Sequence, residues 1–295
     1  NASGEFNTAV GVGSLENNAE SYNSALGYYS LQSNTTGLEN SALGYYSLQS
    51  NTTGSYNSAL GYYSLQSNTT GLENSALGHL ALRNNISGSN NSALGFQANG
   101  ANITGSNNSA FGSGALSRST SNANSAFGAN ALFWNSSGAS STAMGYNAGR
   151  NTETGSFNTL LGYQAGFGAL FTSHSNNTFI GANSGYSITT GSNNILLGYQ
   201  GGYNLTSGAY NIVIGQNVNA PSNTASGQLN IGNLIFGTGL YNGSSVSSVP
   251  VTTGGIAIGT STIAAEKMLT VGATTSQQFL VNTTGQVVGG TWMGS

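Results

Sequence analysis

Side chains that could do chemistry are few in this chain of 295 residues, so each can be weighed by name. The acids are seven glutamates with no Asp, the bases are Arg83, Arg118, Arg150 and Lys267, and the histidines are His79 and His174. Glycoside hydrolysis needs two carboxyls about 5 to 9.5 Å apart. Glu39 and Glu73 occupy the same place in a repeated motif, two copies apart, which is about 9.5 Å at the usual strand spacing. Tyr56 stands at that place in the copy between them. Nothing nearby would raise one carboxyl pKa, so an exposed turn is the plainer account. His79 falls in the column of Tyr28, Tyr45 and Tyr62, and His174 lies in a short insertion far along the chain. Neither a Ser/His/acid triad nor a zinc site follows from that placement. A calcium-binding solenoid needs Asp in every coil. The expectation is therefore no catalytic, cofactor-binding or metal-ligating residue, and no enzyme.

Two other groups of residues could contact ligands. The pairs Tyr28/Tyr29, Tyr45/Tyr46 and Tyr62/Tyr63 recur in register and make two aromatic columns. Stacking between coils is worth about 0.5 to 1.5 kcal/mol per pair, and the same surface could stack on glycan rings. Asn-x-Ser/Thr sequons are numerous, and Asn34, Asn51 and Asn68 share one repeated corner, which makes them the best glycosylation candidates. Turns favour the same residue types without any glycan.

Composition removes several function classes. Charged residues are 4% of the chain, against about 25% in ordinary domains. Four bases are too few to hold a polyanion through phosphate contacts, so nucleic acid is not an expected partner. No run of 18 apolar residues is present, so no membrane insertion is expected. With 37% hydrophobic residues the chain can build a core if they are spaced correctly. It opens at Asn1 with no leader pattern, which reads as a processed or excised segment.

The elements that position these residues come from a repeat. NSALGYYSLQSNTTG recurs almost verbatim from Asn23, Asn40 and Asn57. An anchor glycine then persists at 11, 27, 44, 61, 78, 95, 112, 128, 145, 162, 181, 198, 215 and 232. Twelve of the thirteen spacings are 16 or 17, and the exception is 19, between Gly162 and Gly181. Such a unit is too short for a helix pair and too rich in Gly, Asn, Ser and Thr for a helix. It suits one coil of two short strands and two turns. The expected fold is all-β: a parallel β-solenoid or β-roll of about fourteen 16–17-residue coils over residues 1–235, about 67 Å long. A small C-terminal β connector is expected over residues 236–295.

Facing follows from alternation. The residue before each anchor (Leu26, Leu43, Leu60, Leu77 and onward to Ile231) is an unbroken apolar column and is expected to be core. The residue before that turns from Ala25, Ala42 and Ala59 into Leu160, Phe179, Leu196 and Val213. It is expected to face outward and to be covered by neighbouring subunits of a homotrimer. Asn stands four residues before the anchor in twelve of fourteen coils, suited to a hydrogen-bonded ladder and to the positive φ of a turn. Gly37, Gly54 and Gly71 are expected at a strained corner.

The segments NTFIGANSG, NILLGYQGG and NIVIGQNV resemble the head repeats of trimeric autotransporter adhesins. That resemblance implies a left-handed parallel β-roll with three chains side by side. The family unit is usually a few residues shorter, so the long SNTTG turn departs from it. GGIAIGTSTIAAEKMLTV and QFLVNTTGQVVGGTW are similar to the stretch of phage tail fibres that precedes an endosialidase-type intramolecular chaperone, which is cleaved off near a Ser-rich junction. Gly294-Ser295 falls close to such a junction. The resemblances imply a non-catalytic structural or receptor-binding fibre segment of a tailed virus, located extracellularly or on the virion surface. The alternative is a bacterial cell-surface adhesin head or another extracellular filament. Implied partners are two further copies of the chain, other fibre or virion components, and a host-surface glycan or protein receptor. An ice-binding solenoid would need Thr-x-Thr on strands, and Thr35/Thr36 lie instead in a turn.

Overall fold

The structure, a computed structural model, describes residues 4–240, 255–259, 267–271, 279–282 and 287–289. The described residues are all β and turn, with no helix. Fourteen three-residue strands run in order from β1, Thr8–Val10, through β2, Ser24–Leu26, to β14, Leu229–Ile231. Each pairs parallel with the next, with equivalent residues opposite one another (Ala25 with Ala42, Leu26 with Leu43). The result is a parallel β-solenoid. The parallel order then ends. β15, Ile235–Thr238, folds back antiparallel on β14 and pairs with β16, Gly255–Ile258. β17, Lys267–Val271, β18, Phe279–Asn282, and β19, Val287–Gly289, continue the sheet. The Gly294-Ser295 junction lies outside the described residues.

Each coil has one strand, not the two expected. The far wall is a chain of tight turns in which left-handed residues alternate with others, as at Tyr29 (φ 51°) and Leu31 (φ 50°). Left-handed backbone costs a non-glycine residue about 1 to 2 kcal/mol. The return is that successive N–H and C=O groups point along the solenoid axis. Tyr46 N–H donates to Tyr28 O at 2.9 Å, and Leu31 N–H donates to Ser47 O at 3.0 Å. The far wall is therefore bonded from coil to coil, through alternate N–H groups, without being a strand.

The facing of the strands is the reverse of the expectation. Ala25 is 1% exposed and Leu26 is 47% exposed. Leu160, Phe179, Leu196 and Val213, expected outside, are fully buried. The reason lies four residues past the anchor. Leu31, Leu48, Leu65, Leu116 and Leu132 project inward from the far wall and are fully buried against the alanine column. The interior has room for one large column. Where the strand carries Ala, the far wall supplies Leu in most coils; the exceptions are Ala93, opposite the buried Asn99, and Ala143, opposite Gly149. Where the strand carries Leu160, Phe179 or Leu196, the far wall carries Gly166, Gly185 or Gly202. A Cβ on Gly185 would lie 2.6 Å from Phe179 Cε2, and one on Gly166 would lie 2.8 Å from Leu160 Cδ2.

The anchor glycines are needed for close approach as well as conformation. Gly44 has φ +143°, and a Cβ there would lie 2.8 Å from the carbonyl carbon of Gly61. The corner glycine has a different role from the one expected. Gly37 is not among the residues with positive φ, but a Cβ on it would lie 2.8 Å from Asn51 Nδ2. It clears space for a side-chain ladder. The left-handed turn residue is the one before the ladder asparagine, as at Tyr22 (φ 63°) and Glu39 (φ 54°), and not the asparagine itself.

Candidate functional site

Two asparagine ladders run through the interior. The expected one uses Asn23, Asn40, Asn57, Asn74, Asn91 and Asn108. Asn40 backbone N–H and Nδ2 both donate to Asn23 Oδ1, at 3.0 and 3.2 Å, and Nδ2 also donates to Gly54 O at 2.8 Å. Where Asn is replaced, the acceptor survives: Ser141 Oγ accepts from Asn158 N–H at 3.1 Å. The second ladder is Asn18, Asn34, Asn51, Asn68, Asn85 and Asn102, seven residues past each anchor. Asn51 Nδ2 donates to Asn34 Oδ1 at 2.7 Å and to Gly54 O at 2.8 Å.

The second ladder bears on the glycosylation expectation. Asn34, Asn51 and Asn68 are 0% exposed, and each amide nitrogen is spent on two hydrogen bonds. A glycan on Nδ2 would have to replace those bonds and pass through the wall. The signal in the sequence is the Asn that recurs seven residues past the anchor in each of the first six coils.

The tyrosine columns form as expected, with a geometry that bears on ligand contact. Tyr28, Tyr45 and Tyr62 stack with centroids 5.2 and 5.1 Å apart, and Tyr29, Tyr46 and Tyr63 do so at 5.6 and 5.4 Å. Within each coil the two rings meet edge to face. Ring faces inside each column are thus covered by the next ring, and edges and hydroxyls remain outside. Sugar rings stack on open faces, and inside these columns the faces are taken up by coil-to-coil contact. Desolvation, and then the neighbouring Tyr45 hydroxyl, push Tyr46 up to about 12. His79 sits in the stack between Tyr62 and Phe96, at 5.1 and 5.4 Å.

His174 is fully buried. It stands at the corner-glycine position of its coil and turns its ring into the second ladder's space. Asn177 Nδ2 donates to Nδ1 at 3.2 Å, which leaves Nε2–H to donate to Thr152 Oγ1 at 3.0 Å. Burial lowers its pKa to about 4. Glu39 and Glu73 lie on exposed left-handed turns, as Tyr56 does between them. Among the described residues, no group of three or more His, Cys, Asp or Glu side chains could hold a metal ion.

The feature missed by sequence reasoning is the outer face of the strands. Leu26, Leu43, Leu60, Leu77 and Leu94 stand on it beside Ser24, Ser41 and Ser58, around an apolar groove of about 550 Å³ that reaches Phe111. Toward β14 the serines give way to Thr159, Thr178, Ile195 and Ile212, so the face becomes more apolar. No known protein family and no curated protein sequence matches the chain.

Proposed function

We propose that this chain is a non-catalytic, trimeric fibre segment, structural or receptor-binding, of the kind carried on a virion tail. The observation that carries the reading is the apolar outer strand face. Val10, Leu26, Leu43, Leu60, Leu77, Leu94 and Met144 are all exposed on it, in line. A monomer with so long an apolar strip invites association. A second and third parallel copy fit the strip best, because a ridge repeating every coil meets an identical ridge in register along its whole length. The exposed, separate Glu39 and Glu73 support the non-catalytic part. A cell-surface adhesin head shares every one of these features and is the second reading.

The test is the mass in solution. Light scattering at micromolar concentration should give three times the mass of 29.7 kDa. Leu60→Asp with Leu77→Asp should release folded monomer, since both side chains are exposed in the single chain and their carboxylates would be buried unpaired only in the assembly. A monodisperse monomer before mutation sinks the proposal.

A further inference from the structure

Three of the chain's four bases, Arg83, Arg118 and Arg150, lie on the far wall, one or two residues past the inward position of their coils. The chain as a whole carries a net charge of −3, so this is a local reversal of sign. None of the three forms a salt bridge among the described residues. Arg83 Nε donates to Gln66 Oε1 at 3.3 Å, and Arg150 donates to Asn151 Oδ1 at 3.1 Å. Arg118 makes no side-chain hydrogen bond among the described residues. Its guanidinium carbon lies 4.2 Å from the centre of the Trp134 ring and 5.8 Å from that of Phe133. Ring contact of this kind orients the fork and leaves its N–H donors unspent.

Beside that fork the wall is notched. In the coil between Arg83 and Arg118 the outward positions hold Gly100 and Ala101, and the next coil holds Ser117. Together with Arg83, Arg118 and Phe133 they enclose about 220 Å³. The amides of Asn84 and Gln97 also line the notch. Its residues are distinct from those of the strand-face groove.

The contents of the notch select a ligand class. A guanidinium fork matches a carboxylate in two parallel hydrogen bonds. Arg118 and Arg150 already lie over the Phe133 ring, 5.8 and 5.5 Å from its centre, so that ring serves as a wall of the notch, and amides suit hydroxyls. Three cations are too few for a nucleic-acid backbone. The volume is below the roughly 300 to 1,000 Å³ of drug-sized sites and suits one ring. We propose that the notch binds the acidic residue of a glycan, a sugar bearing one carboxylate. Arg118 takes the carboxylate, Phe133 bounds the notch, and Asn84 and Gln97 bond the sugar's hydroxyls. This gives the receptor-binding reading a substrate class and rests on that reading for its biological meaning.

The experiment is titration of the full chain, in its native assembly, with glucuronate, and with glucose and sulfate as controls, by calorimetry or saturation-transfer NMR. Glucuronate should bind at millimolar concentration, and glucose and sulfate at least about tenfold more weakly. Arg118→Gln should weaken glucuronate by about tenfold. Ala101→Trp should abolish binding by filling the notch, and the column accepts that side chain, since Trp134 occupies the same repeat position two coils on. Both variants should stay folded, with only a small fall in melting temperature for Arg118→Gln as its contact with the Trp134 ring is lost. Absent glucuronate binding, equal glucose binding, sulfate matching glucuronate, or variants that bind normally would each overturn the proposal. Mass measured on the same samples separates that failure from failure of the fibre reading, which does not depend on Arg118.

Discussion

The coils up to Leu132 and those from Leu160 onward share one backbone and invert its filling. In the first set the strand contributes Ala and the far wall Leu, with Asn99 the one polar replacement. In the second the strand contributes Leu160, Phe179 or Leu196, and Gly166, Gly185 and Gly202 open the far wall. The seam coil has small residues on both sides, Ala143 and Gly149. Leucines from either side close over it: a Cβ on Gly149 would lie 2.6 Å from Leu160 Cδ1 and 2.9 Å from Leu132 Cδ2. The polar column changes at nearly the same place. Asn34, Asn51 and Asn68 become Ile188 and Leu205. The lesson is that a thin solenoid conserves interior volume per coil, and that either wall can supply it.

The largest expected effect comes from forcing one half's pattern on the other. Gly185→Leu keeps an allowed backbone, since Leu31 has φ 50° where Gly185 has 61°, yet it collides with Phe179. We expect a loss of about 1 to 3 kcal/mol from overpacking, and about 3 to 5 kcal/mol from Phe179→Ala. The double variant restores the Ala/Leu pairing of the early coils. It should therefore lose clearly less than the sum in denaturant titration. Simple additivity would refute the shared-volume account.

A smaller effect separates the halves by pH. His174 has a folded pKa of about 4, against about 6.5 unfolded. Between these values the unfolded chain binds a proton that the native chain refuses. Stability is therefore full above about pH 6.5 and falls as pH drops toward 4, by about 2 kcal/mol from neutral pH to pH 5. His174→Gln should flatten that slope, and the coils before Leu132 contain no buried His to reproduce it. A slope unchanged by His174→Gln would show that the ring is not the sensor.

The smallest effect tests the polar column. Asn51→Ile installs the residue that is native at the same repeat position in the late half, Ile188. In the early half it strands Asn34 Oδ1 and removes the acceptor of Asn68 Nδ2. About 1 to 2 kcal/mol should be lost. No loss, or a gain, would mean that the ladder is dispensable and the halves interchangeable.

Much of this was legible in the residues. The anchor spacing yields the coil count. The Asn column before each strand yields its ladder, and the tyrosines yield their stacks. The far wall was not legible as non-strand, because alternating left-handed residues such as Tyr29 and Leu31 carry no glycine signature. Nor was the notch beside Arg118, which depends on what two neighbouring coils lack. The facing error had a visible remedy in the size exchange between Ala25 and Leu31 at one end and Phe179 and Gly185 at the other.

The repeat by itself determined that the chain is a parallel solenoid with a fixed rise and in-register columns, because stacking identical coils needs only a period. Which column lies inside was decided by tertiary structure alone. Strand alternation is blind to inversion: exchanging the two faces moves every side chain and leaves the pattern intact. Only the opposing wall breaks that symmetry. Leu31 and its equivalents fill the interior, so the strand beside them can bury Ala and must turn Leu26 and its column outward.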